Sequence, residues 1–103
     1  MHNYILSEEG KPVLERDLHK WAKWFETANR HLAKDQVGDV RISTVFLGMD
    51  HGYSYGGQGN PILWETMIFG GEHDGWMDRY DSADAAKKGH NAAVAMVTKP
   101  QSH

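Results

Sequence analysis

Asp50, His51, Glu65 and His90 are the side chains in this 103-residue sequence whose types could do chemistry together. Asp50 and His51 close one apolar run, "RISTVFLGM", and Glu65 interrupts the next, "ILWETMIF". Two imidazoles and two carboxylates suffice for a hard or borderline metal ion, or for general acid–base work. By alternation Glu65 shares a strand face with Leu63, Met67 and Phe69. A buried, unpaired carboxylate is costly, so Glu65 needs a partner or a proton. It reads either as a general base or metal ligand beside His51 or His90, or as a hydrogen-bonded structural carboxylate on a partly open face. His90 reads either as a ligand or as a packed histidine donating to a backbone carbonyl or a carboxylate. The four residues are spread over 41 positions and match no compact ligand signature.

One catalytic template bears comparison. A histidine ending a strand, a loop, a second strand and a helix carrying His or Asn outline the ββα-metal nuclease motif, and Asp50-His51 and His90-Asn91 imitate its ends. In this chain 20 residues, including an expected extra strand, separate Phe69 from His90. Seven acids and one base between Asp50 and Asp84 would also repel substrate phosphate in the absence of a metal.

The loop that joins the two runs, "GYSYGGQGN", pairs adaptable glycine backbone with rigid, amphipathic tyrosine. That composition suits recognition of a protein surface. A binding surface is therefore expected at Tyr53, Tyr55, Gln58 and Asn60, continued along an acidic edge at Glu72, Asp74, Trp76 and Asp78. Asp50, His51, Glu65 and His90 then form a polar cluster that fixes the loop.

These residues need a scaffold, and the patterning supplies one. Leu14, Leu18, Trp21, Phe25, Ala28 and Leu32 recur at spacings of four and three, which predicts a long amphipathic helix near the N-terminus, with Asp17 as its N-cap or a first-turn acid. "YIL" ahead of it reads as a short strand. Ile42, Thr44 and Phe46 share one strand face, and Ile62, Trp64, Thr66 and Ile68 share another. These two strands are expected at the sheet centre, with Trp21, Phe25, Phe46, Trp64 and Ile68 in the core. "EHDG" reads as a turn and "WMDRY" as a third, edge strand. The last helix, capped by Asp81 or Ser82, presents the small face Ala86, His90, Ala93 and Val97, and Gly89 lets it approach the sheet closely. The order is β-α-β-β-β-α: one α+β domain spanning 1–103, with an antiparallel sheet, both helices packed on it and a frayed tail at 98–103. Trp24 and Trp76, off the main stripe and near the edge, are candidates for a homodimer or partner surface.

Composition limits the function classes. The chain suits one modest core, with 40% hydrophobic and 24% charged residues. No apolar run is long enough to span a bilayer, and "MHNYILSEEGK" carries no secretory pattern, so a cytoplasmic location is expected. Without cysteine there are neither disulfides nor thiolate metal sites. No cofactor and no tightly bound transition metal are expected. The acidic bias of the loop-rich half disfavours direct DNA binding through it.

The runs "GKPVLERDLHKWAKWFE", "VRISTVFLGMDH", "PILWETMIFGG" and "DRY…AAKKGHNAAV" resemble a family of small, mostly uncharacterised proteins encoded by tailed phages and prophages. The resemblance implies a bacterial host cytoplasm and carries no catalytic assignment. With the loop and acidic edge, it gives a non-enzymatic accessory protein that binds a host protein. Its expected action is inhibition of a bacterial defence system, of the anti-CRISPR kind, with the acidic surface occupying the nucleic-acid groove of a defence component. The alternatives are a metal-dependent hydrolase or nuclease using Asp50, His51, Glu65 and His90, and a nucleotide-sequestering protein. The last needs phosphate contacts the sequence does not display.

Overall fold

The computed structural model describes residues 2–50 and 60–99. The elements run β1 (Tyr4–Leu6), β2 (Pro12–Leu14), α1 (Leu18–Thr27), β3 (His31–Val37), β4 (Val40–Phe46), β5 (Trp64–Phe69), β6 (Met77–Tyr80) and α2 (Ala83–Thr98). The chain is α+β with two antiparallel sheets: a β1–β2 hairpin, and a four-stranded meander in the order β3-β4-β5-β6.

Alternation places the core where the sequence puts it. Ile42, Thr44 and Phe46 on β4 and Trp64, Thr66 and Ile68 on β5 are buried, on the face covered by Ala86, His90 and Ala93 of α2. β4 and β5 are the central strands and β6 is an edge. Phe46 packs edge-on against Trp64, with ring centroids 5.5 Å apart. Gly89 admits this close docking: a Cβ there would lie 2.1 Å from the Tyr80 hydroxyl. Ser82 caps α2 by accepting from the Ala85 N–H at 3.1 Å.

The N-terminal half departs from the expected order. The helix has 10 residues and is not long. Asp17 starts it, accepting from the N–H groups of His19 and Lys20 at 3.0 and 3.2 Å. Ala28 ends it in extended backbone. Leu14 and Leu32, the outer members of the stripe, belong instead to β2 and β3. Strand pairing accounts for both: β2 zips to β1, and β3 turns at Gly38-Asp39 to pair with β4. Gly38 has φ 59° at the first central position of that two-residue turn, where such hairpins favour glycine.

Only α2 lies across the four-stranded sheet; α1 packs on β1. Trp21 and Phe25 are therefore half-buried, away from the main core, rather than central to it. The Trp21 indole N–H is shared between the Tyr4 and Gly48 carbonyls at 3.1 and 3.0 Å. Gly48 is buried at φ 78°, and a Cβ there would stand 3.1 Å from the Phe25 ring. Trp24 and Trp76 are half-buried too: Trp24 packs against the Phe46 cluster and Trp76 against the cluster of Ile42, Ile68 and Ala93.

Candidate functional site

The sheet separates the residues the sequence groups together. Glu65 faces away from α2, and its carboxylate accepts from Arg79 Nε at 3.0 Å across the β5–β6 ladder. That ion pair explains the carboxylate in an apolar strand: it is a paired side chain on an open face. His90 sits on the opposite side, 2% exposed under α2. Asp50 accepts from the Ile62 N–H at 2.8 Å, tying together the two ends of the segment between β4 and β5. His51, Tyr53, Tyr55 and Gln58 lie outside the described residues. Asn60 is exposed and reaches Asp81 at 3.5 Å. Among the described residues, no three His, Asp or Glu side chains converge as a metal-binding group.

On the acidic edge, Asp74 accepts from the Gly70 N–H at 2.6 Å and shapes the β5–β6 turn. Gly70 and Gly71 of that turn abut the β3–β4 turn, where a Cβ on Gly71 would meet Val40 at 2.7 Å. Glu72 and Asp78 are exposed, and the Asp78 carboxylate accepts from the Arg79 N–H at 2.9 Å. Trp76 is half-buried beside this edge, packed against the Ile42–Ile68 cluster.

His90 belongs to a buried polar chain whose other members are Thr66, Thr44 and Asp35. Thr66 and Thr44, paired directly across β4 and β5, have their hydroxyl oxygens 2.5 Å apart. Thr44 Oγ1 is 2.7 Å from His90 Nδ1, and His90 Nε2 is 2.7 Å from Asp35 Oδ2. A carboxylate only accepts, so Nε2–H donates to Asp35, and Nδ1 meets the Thr44 hydroxyl, which in turn meets that of Thr66. Hydroxyl, imidazole and carboxylate stand in the order of a nucleophilic triad. Thr44 and Thr66 are nonetheless fully buried, so no substrate reaches either hydroxyl. The chain holds α2 to β3, β4 and β5.

Tyr80 lies beside the Thr66 end. Its hydroxyl is buried and makes no hydrogen bond among the described residues. Burial raises its pKa above the usual phenol value; Thr66 opposes the rise and Asp78 adds to it. The Thr66 approach falls short of hydrogen-bond geometry, so the hydroxyl counts as unpartnered.

The surface that remains is the face of the sheet turned away from α2. Val45, Glu65 and Arg79 form one row across it, Ser43, Met67 and Met77 the next, and Arg41 and Phe69 the third. His31, Lys34 and Gln36 extend these rows onto β3. Phe69 and Met77 are 38% and 43% exposed. The Arg41 guanidinium stacks 4.6 Å from the centroid of the Phe69 ring. No described helix or other sheet packs on this face.

Compared with known proteins, the chain matches no family model, no curated protein and no solved structure. No described helix is long and apolar enough to cross a membrane.

Proposed function

We propose that this protein is a small non-enzymatic accessory protein that works by binding another protein. The observation that carries the reading is the sheet face on which no described helix or other sheet packs, where Phe69 and Met77 stay exposed between charged neighbours. A small domain that leaves exposed apolar side chains on a flat, polar-rimmed face has the makings of an interaction site. The resemblance of the sequence to small tailed-phage proteins makes the partner a bacterial host protein, and inhibition of a defence system the action. The metal-dependent hydrolase has no comparable support, because Glu65 and His90 lie on opposite faces and Glu65 is engaged by Arg79.

Affinity capture from bacterial host lysate tests this. A stoichiometric protein partner is expected, lost when surface residues are changed without loss of melting temperature. A protein that captures no partner but turns over a phosphodiester or ester, with activity abolished by Glu65→Gln in a folded chain, would sink the reading.

A further inference from the structure

We propose that the open face of the β3–β6 sheet receives one acidic amphipathic helix of the partner protein, the counterpart of α2 on the other side. The inference rests on the binding reading above and names the shape and charge of what binds.

Size comes first. Four strands about 4.8 Å apart, six residues long at about 3.3 Å each, offer roughly 400 Å². That is half of the roughly 800 Å² per partner that a stable protein–protein interface uses. On its inner face the same sheet is crossed by one helix of 16 residues, α2, which touches all four strands. A helix of that length is about 24 Å long and about 10 Å wide, so the outer face has room for one helix. A second copy of the chain, face to face, fits poorly. Self-matched by symmetry, it would bring two net-cationic faces together.

Charge comes second. The outward side chains of the four strands include three cations, Lys34, Arg41 and Arg79, against one carboxylate, Glu65. The whole chain carries −3. This is a cationic face on an acidic protein, and it calls for acidic residues flanking the apolar stripe of its partner. Met67 and Met77 at the middle are adaptable contacts, suited to a helix whose apolar side chains vary. Single-stranded nucleic acid is the other polyanion a cationic sheet attracts. Sheets that bind it stack bases on two or three aromatic rings. Among the described residues Phe69 is the one aromatic on the face, and Arg41 stacks on it.

The test selects binders for the whole protein from a display library of 16-residue helical peptides with randomised side chains, with counter-selection against a Phe69→Lys/Met77→Lys variant. Enriched peptides are expected to carry an apolar stripe at helical spacing flanked by Asp and Glu. A synthetic peptide from that set should shift the methyl resonances of Met67 and Met77 and leave Met96 in place. Lys34→Glu/Arg41→Glu should weaken it at least tenfold. No enrichment, enrichment of basic or uncharged sequences, or equal binding to the variants would overturn the proposal. So would an oligothymidine 16-mer that moves Met67 and Met77 more tightly than the peptide, or a concentration-dependent dimer that moves them unaided. A host partner captured from lysate and released by changes at Glu72 and Asp74 alone would overturn this face as its site while leaving the binding function standing.

Discussion

Asp35 and His90 stand 55 residues apart in the chain and 2.7 Å apart in the fold, the first on an edge strand and the second on the helix that covers it. The His90 ring is 2% exposed, whereas the Asp35 side chain is 54% exposed. The pair links the surface of the sheet to the buried Thr44 and Thr66 hydroxyls.

Removing the ring should cost far more than removing the charge. His90→Ala opens a cavity and strips the Thr44 hydroxyl of its imidazole partner, and is expected to destabilise by about 3 kcal/mol. Asp35→Asn keeps an acceptor at a solvated position and should cost about 1 kcal/mol. Urea unfolding of both variants checks the ranking; equal losses would mean that the Asp35 contact, not packing, dominates.

Glu65 and Arg79 should contribute little to stability. Their side chains are 16% and 39% exposed, and surface pairs of this kind are worth about 0.2–1 kcal/mol. Glu65→Gln is therefore expected to fold with a near-native melting temperature. A double-mutant cycle with Arg79→Gln measures the coupling, which a value above about 2 kcal/mol would contradict.

Gly89 and Tyr80 give a directional pair. A Cβ at position 89 would meet the Tyr80 hydroxyl, Cζ and Cε1 at 2.1, 2.3 and 2.4 Å. Gly89→Ala should thus cost about 1–3 kcal/mol by overpacking. Tyr80→Phe alone should be neutral or stabilising, because it deletes a buried hydroxyl without a partner. It should not rescue Gly89→Ala, since the ring atoms remain.

The same hydroxyl sets an alkaline limit. Its folded-state pKa is raised above the ordinary value of 10.0, chiefly by burial. The unfolded chain then loses its proton first, so Tyr80 contributes nothing adverse below pH 10 and stability falls as pH rises above it. Melting temperature should drop above about pH 10 in the native chain and drop less in Tyr80→Phe. Identical alkaline profiles would assign the loss to other groups.

The central strands were legible because alternation is a local signal. The buried residues Ile42, Thr44 and Phe46 of β4 and Trp64, Thr66 and Ile68 of β5 follow from it, whereas Ile62 falls outside β5 and Leu63 is buried in its place. β3 was hidden by a coincidence: Leu32 falls four residues after Ala28 and prolongs the helical stripe, although it packs in the sheet. The turn sequence "QVGDVR" carried the opposing signal, two valines around Gly-Asp. With β3 read as loop, Asp35 had no place on the sheet and could not be linked to His90. Thr44 and Thr66 were detectable as polar residues on the two predicted core faces. The Arg79 partner of Glu65 needed the β5–β6 register, which depends on a turn with positive φ at Gly70, Gly71 and Gly75. The separation of Asp50, Glu65 and His90 was not legible from spacing, because sequence distance does not say which side of a sheet a residue takes.

The β1–β2 hairpin joins the four-stranded sheet through β1 alone: Tyr4 and Leu6 pack against the Phe46 cluster, and Asn3 and Tyr4 tie to Met49 and Gly48. Its second strand is exposed along its whole length. In hydrogen exchange the molecule should therefore divide into two layers of protection. Amides of Ile42, Thr44, Thr66 and Ile68 exchange only when the whole sheet opens, whereas the exposed strand β2 flickers open by itself. Proteolytic nicking in the native protein follows the same division: cuts begin around Glu9-Gly10, while the sheet and α2 persist as a resistant body.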